Sequence, residues 1–96
     1  MSLPTLSVVF SNRFKRDLKL LAKRGADFDL LDDIVTKLAN RQKLAARHRD
    51  HALSGDYCGF RKCHIQPDWL LVYRIDEEEL YLFLSRTGTH SDLFGA

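Results

Sequence analysis

GFRKCHIQPDWLLVYRIDEEELYLFLSR, running from Gly59 to Arg86, is the stretch whose reading decides the fold. From Gly59 to Gln66, Phe60, Lys62 and His64 fall on one face and Arg61, Cys63 and Ile65 on the other, the period-two alternation of a strand. Pro67-Asp68 has turn chemistry, because proline presets φ and aspartate accepts from nearby backbone N–H groups. Trp69 to Ile75 is almost wholly apolar, as a strand covered on both faces should be. Asp76 to Glu79 is a second turn, and Leu80 to Arg86 a third strand. An antiparallel meander turning at 67–68 and at 76–79 is the prediction.

Upstream, the pattern changes from strand to helix. Residues 5–10 form a short β-rich run. Ser11 or Asn12 then caps a helix whose apolar stripe is Phe14, Leu18, Leu21 and Ala22, and Gly25 ends it. Its outer face is basic, with Arg13, Lys15, Arg16, Lys19, Lys23 and Arg24. A second helix starts near Asp27 and buries Phe28, Leu31, Val35 and Leu38. Its acids lie early and Lys37 and Arg41 late, which suits the helix macrodipole. Residues 41–56 read as a loop carrying Arg41, Lys43, Arg47, His48 and Arg49, then Asp50-His51 and Ser54-Gly55-Asp56. The order βααβββ predicts an α+β fold in which an N-terminal strand and a helical hairpin pack on one face of a mainly antiparallel four-stranded sheet.

The chain has 96 residues, 45% hydrophobic and 29% charged, so a single globular domain spanning residues 1–96 is expected. No apolar run approaches the roughly 18–20 residues of a membrane span. Met1-Ser2-Leu3-Pro4 does not open a secretory signal. A cytoplasmic protein with no membrane association is the expectation. The net charge of +2 is unevenly placed: residues 1–49 hold 11 Lys and Arg against 5 Asp and Glu, whereas residues 50–96 hold 4 against 8. A basic half facing an acidic one points to a polyanion or an acidic partner. Cys58 and Cys63 lie an odd distance apart on the pattern, so no bridge joins them and two buried, reduced thiols are expected. A zinc site on Cys58, Cys63 and His64 would lack a second ligand pair.

Three histidines stand beside turns or strand ends. His51 lies in the Gly-bearing loop, His64 just before Pro67-Asp68, and His90 after Thr87-Gly88-Thr89. The first turn keeps His64 and Asp68 at one end of the sheet, and the second returns Arg86 and His90 toward it. Such a set suits RNA cleavage by the substrate's own 2′-hydroxyl. That reaction needs a base, an acid for the departing 5′-oxygen, and a cation for the phosphorane charge. Histidine titrates near neutrality and arginine offers a permanent forked charge. Neither a metal nor a cofactor is called for. Trp69 and Phe94 offer rings for unpaired bases. Each residue also has a purely structural alternative: Trp69 as core, His64 as a hydrogen-bonding strand residue, Arg86 in an ion pair with Asp76 or Glu79. His48, inside a basic run, is read as solvated.

Blocks of the sequence go further than spacing. Phe14-Lys15-Arg16-Asp17-Leu18-Lys19 with Lys23-Arg24-Gly25 comes first, followed by Asp50-His51-Ala52-Leu53-Ser54-Gly55. Gly59-Phe60-Arg61 precedes His64-Ile65-Gln66-Pro67-Asp68-Trp69-Leu70-Leu71-Val72-Tyr73. Arg86-Thr87-Gly88-Thr89-His90 and Leu93-Phe94-Gly95 close the chain. In this order they resemble the YafQ branch of the RelE/ParE toxin superfamily, from about Phe10 onward. The resemblance implies a RelE-like fold and a type II toxin that enters the ribosomal A site and cleaves translated mRNA, restrained by an antitoxin. By position, it implies a catalytic set of His51, His64, Asp68, Arg86 and His90, with Trp69 and Phe94 lining the site. The roles expected are His64 with Asp68 as base, His90 as acid, Arg86 on the phosphorus centre, and His51 orienting the phosphate or sharing the base role. Arg47 and Arg49, with the basic helix face, are expected to bind RNA backbone. An acidic, partly disordered antitoxin would suit the same surface. Lys62 departs from the family, which often carries an acid there, and a cation beside His64 disfavours its protonated form. Two other functions use the same composition: a non-enzymatic ParE-like toxin that blocks a protein target such as gyrase, and a plain ribosome-binding module.

Overall fold

The computed structural model describes residues 4–95. In chain order they form β1 (Ser7–Phe10), α1 (Asn12–Lys23), α2 (Phe28–Ala39), β2 (His51–Ala52), β3 (Arg61–Gln66), β4 (Trp69–Asp76), β5 (Tyr81–Gly88) and α3 (His90–Phe94). Short 3-10 turns occupy Ala46–His48 and Gly55–Tyr57. The strands make one sheet in the order β1-β5-β4-β3-β2. β1 runs parallel to β5, and every other pairing is antiparallel.

The predicted α+β architecture is present, with two additions. The sheet has five strands rather than four, because His51–Ala52 pairs with Arg61–Lys62 as an edge. Two residues are too few to leave an alternation in the sequence. The second addition is α3, which follows β5 directly. Ser11 is the N-cap of α1; its hydroxyl accepts from Phe14 N at 2.9 Å and donates to Ser85 O at 2.7 Å. Gly25 takes φ +77° at the helix end, a conformation only glycine adopts freely. Asp27 caps α2 through Asp29 N.

β4 is apolar on both faces because both are covered. On one side Trp69, Leu71 and Tyr73 join Cys63, Leu82 and Leu84 beneath Phe14 and Leu21 of α1 and Leu31, Ile34 and Leu38 of α2. On the other, Leu70 and Val72 meet Leu93 of α3, with Leu53, Tyr57 and Phe60 around them. α3 covers only part of this second face, which is hereafter the open face. Cys63 is buried, and burial raises its thiol pKa to about 12, with the Asp50 charge adding to the rise. Cys58, expected inside, is exposed, because it follows a surface 3-10 turn rather than lying in a strand. Among the described residues no helix is long and apolar enough to cross a membrane.

Two irregularities in register shape the open face. Between β4 and β5 the pairing passes from Tyr73↔Leu84 to Val72↔Arg86, so Ser85 is an extra residue. A strict period-two count from Leu82 and Leu84 would turn Arg86 toward the helices; the bulge turns it to the open face instead. Between β3 and β4 the register also shifts from His64 to Gln66.

Candidate active site

Residues directly opposite one another on neighbouring strands share a face. The pairings His51↔Lys62, Lys62↔Val72 and Val72↔Arg86 therefore set His51, Lys62, Val72 and Arg86 in one row across four strands. The next row is His64, Leu70 and Gly88. Because Leu70 opposes Gly88, the β3–β4 turn and the start of α3 lie at the same end. There Asp68 Oδ1 accepts from the backbone N of His90 at 3.0 Å and from its Nδ1 at 2.7 Å. The His90 ring lies 5.7 Å from the His64 ring. His64, Asp68 and His90 are thus gathered, with Arg86 and His51 at the two ends of the adjoining row.

The hydrogen bonds settle which ring nitrogens are available. Asp68 is a carboxylate and His51's partner is the Arg49 carbonyl, 2.8 Å from its Nδ1. Both partners can only accept, so both rings carry Nδ1–H and leave Nε2 free. The His64 Nδ1 is buried, so its Nε2 is the atom that can meet a substrate. The His64 pKa is lowered, first by burial and then by the charges of Lys62, His90 and Arg49; the effect expected of Lys62 is present. Asp68 is held below the ordinary carboxylate range by the backbone N–H of His90 and then by its ring. Asp68 therefore partners His90, not His64 as the sequence suggested: the turn leaves it facing α3.

Arg86 is held by a residue that the sequence reading did not count in the site. Its Nε and Nη2 donate to Asp17 of α1 at 2.9 and 3.2 Å, and both side chains are only 13% exposed. Asp17 Oδ2 also accepts from Thr87 N at 3.0 Å. The bond to Asp17 raises the Arg86 pKa. Neither Asp76 nor Glu79 is its partner, because they lie at the far end of β5. A signal for Asp17 was present in the sequence: it is the one acid in the otherwise basic α1.

α3 brings His90 and Phe94 to the open face. Thr89 and Asp92 form a reciprocal capping box. Arg24 grips Asp92 through two bonds of 2.6 and 3.1 Å, and this contact leads in lowering the Asp92 pKa to about 2. Gly88 has φ +152°, and a Cβ there would lie 2.9 Å from Asp92 Oδ2; a side chain would press against the anchor of α3. The Phe94 ring, 42% exposed, lies edge-on to Tyr57 at 6.0 Å and 5.2 Å from the Lys62 ammonium.

Two further expectations fail. Trp69 does not line the site. It is 5% exposed on the helix side, edge-on to Phe28, and its indole N–H donates to Thr87 Oγ1 at 2.9 Å. Its position on β4 alternates with Leu70, so only one of the two can lie on the open-face side of the sheet, and that one is Leu70, beneath Leu93. His48, read as solvated, is buried. Its Nδ1–H donates to the His64 carbonyl at 2.6 Å, at the register shift, while Arg47 Nε lies 3.4 Å from its Nε2. Arg47, His48, Arg49, His64 and Gln66 line a cavity of about 280 Å³ next to the gathered histidines. Asp50 braces this loop by accepting from Tyr73 OH at 2.6 Å and from Arg61 Nε at 3.2 Å. Cys63 and His64 lie on opposite faces, and among the described residues no three His, Cys, Asp or Glu are grouped to hold a metal.

The profile of a family described as "Bacterial toxin of type II toxin-antitoxin system, YafQ" matches residues 6–95. The mRNA interferase toxin YafQ of Escherichia coli K12 is 38% identical over 89 residues, covering 92% of this chain and 95% of that one. A metal-bound toxin from Helicobacter pylori superimposes with a TM-score of 0.88 at 48% identity, over 93% of this chain and 99% of the other. The toxin of the E. coli DinJ-YafQ toxin-antitoxin complex superimposes at 0.85 and 37% identity, over 95% and 99%.

Proposed function

The chain belongs to the YafQ family of bacterial type II toxins, and on that premise we propose that it is an mRNA endoribonuclease whose acid, base and charge-stabilising groups stand on the open face of its sheet. The observation that carries the assignment of groups is the His64–His90–Asp68 cluster, in line with the row that ends at Arg86.

The chemistry follows from the free nitrogens. His64, kept neutral by burial and neighbouring cations, takes the 2′-hydroxyl proton on Nε2. The freed O2′ attacks the adjacent phosphorus. His90, carrying an Nε2 proton, passes it to the departing O5′, and the Asp68 carboxylate is charge-paired with the ring while that proton is held. Arg86 faces the phosphorane oxygens. The products are a 2′,3′-cyclic phosphate and a 5′-hydroxyl. His51 presents Nε2 to a phosphate from the edge strand. Arg47 and Arg49, beside His64, take the flanking backbone. Phe94 offers a stacking ring.

The exposed cations of α1, namely Arg13, Lys15, Arg16, Lys19 and Lys23, suit the RNA of the ribosome. Cleavage of translated mRNA at the A site, in the cytoplasm, is part of the proposal. A cognate antitoxin restrains the protein, as in the DinJ-YafQ complex of its relative; an acidic, partly disordered chain ordering on the basic surface fits that role. A target-blocking toxin of gyrase type would need none of the histidine geometry. The test is induced expression of His90→Ala and Arg86→Ala. Each should abolish growth arrest and lower cleavage about 10²-fold or more, with circular dichroism unchanged. Message ends from the wild type should carry cyclic phosphate, and cleavage should persist in EDTA when ribosomes are kept intact. Full toxicity in both variants would overturn the assignment.

A further inference from the structure

Lys62 occupies the middle of the open-face row, between His51 on one side and Val72 and Arg86 on the other, and one alternation from His64. Most of the cations close to the sheet are spoken for. Arg24 pairs with Asp92, Arg41 with Glu77, Arg61 with Asp50 and Arg86 with Asp17. Among the described residues Lys62 has no carboxylate within ion-pair distance. Its ammonium lies 5.2 Å from the centre of the Phe94 ring, a contact that holds a cation in place yet leaves its N–H donors for an anion. The side chain is partly buried, which strengthens any charge pairing it makes. Arg86, in contrast, has two of its nitrogens committed to a carboxylate, so the field it projects toward a phosphate is partly cancelled.

We propose that Lys62 is a second catalytic cation of this site, whose ammonium binds a non-bridging oxygen of the scissile phosphate and, with Arg86, carries the charge that builds up as O2′ attacks. It rests on the nuclease reading. Lys62 keeps all its protons: the proton from O2′ goes to His64, the proton for O5′ comes from His90, and the bond broken is P–O5′. The same charge acts on His64. The groups acting on that ring are Lys62 on its own strand, His90 of α3 with Asp68 bonded to it, and Arg49 with the His48 backbone from the 3-10 turn. Lys62 is the first of the charges that lower its pKa, after burial.

The experiment compares Lys62→Gln, Lys62→Met and Lys62→Arg with the wild type, as full chains, in single-turnover cleavage of mRNA on ribosomes across pH. Lys62→Gln and Lys62→Met should lose about 10²-fold in the cleavage rate, with little change in the concentration of ribosomes needed for half-saturation. Lys62→Arg should recover most of the loss. In Lys62→Gln the acid limb of the pH profile should move to higher pH, because His64 is then easier to protonate. An acid limb left in place in Lys62→Gln overturns the effect assigned to the charge on His64. A role limited to propping Phe94 would be rescued by Lys62→Met, whose chain keeps the packing; that result would overturn the proposal. So would a Lys62→Gln rate within about threefold of wild type. No cleavage by the wild type would overturn the nuclease reading and this inference with it, whereas cleavage lost in His90→Ala but kept in every Lys62 variant overturns this inference alone.

Discussion

Arg86 shows how much of a site can depend on one partner far away in sequence. Asp17 supplies its counter-charge and also accepts from Thr87 N, in a setting where both ionised side chains are largely out of water. Removing one member of such a pair strands the other. Asp17→Ala should lower stability by about 3 kcal/mol and Asp17→Asn by about 1–2 kcal/mol, read from urea unfolding by far-UV circular dichroism. Cleavage should fall in both, since the guanidinium is no longer aimed. A change below about 0.5 kcal/mol in Asp17→Ala would mean that the pair contributes nothing. At this scale the sequence was readable where chemistry and turns coincide. His64, Asp68 and His90 stand beside turns that bring strand ends together, and turn residues announce themselves. It was unreadable where the decision belongs to facing. His48 was read as solvated, and Trp69, for which the core stood as an alternative, was put in the site by the resemblance, because a single ring in a strand or a basic run carries no mark of which way it points.

Among the elements, α3 is short and depends on its attachments. Thr89 and Asp92 cap it, Arg24 ties it to α1, and Leu93 seats it on Leu70 and Val72. A five-residue helix has no stability of its own, so the ordering of His90 and Phe94 follows that of these anchors. The Asp92 pKa lies at about 2 when folded, below the roughly 3.9 of an unfolded aspartate. Its contribution is therefore complete above about pH 5 and is lost as pH falls through 4 toward 2. The protection factors of the 89–94 amides against hydrogen exchange, taken relative to the intrinsic rate at each pH, should fall across that acid window in the wild type. In Asp92→Asn they should already be low at pH 6. Equal protection in the two proteins would show that the Arg24 contact does not hold the helix. The meander was legible because alternation in β3, an unbroken apolar run in β4 and the turn residues between strands are strong signals, and the starts of α1 and α2 came with caps. β2, α3 and the Ser85 bulge were not, because two residues, five residues and one extra residue each fall below the length at which periodicity speaks.

Taken as one object, the molecule keeps its charge asymmetry in three dimensions. α1 and the loop before β2 carry the excess of Lys and Arg counted in the first half of the sequence, and most of the α1 cations are exposed. Binding of such a surface to ribosomal RNA releases counter-ions and weakens steeply with salt. The affinity of the His90→Ala protein for ribosomes should fall about tenfold or more between 50 and 200 mM salt, and neutralising Arg13, Lys15 and Arg16 together should flatten that dependence. A salt-insensitive affinity would remove the basic face from the interaction. The composition alone disclosed this partition; only the fold shows that the cations of α1 and the row that ends at Arg86 belong to neighbouring surfaces, joined through Asp17.

The burial of Trp69 has a practical side. The chain has a single tryptophan, and it sits on the helix side of β4 with its indole N–H tied to Thr87, screened by the sheet from anything bound to the other face. Its fluorescence is a built-in gauge of whether the interior is intact: emission should shift when the fold opens and stay still when RNA arrives.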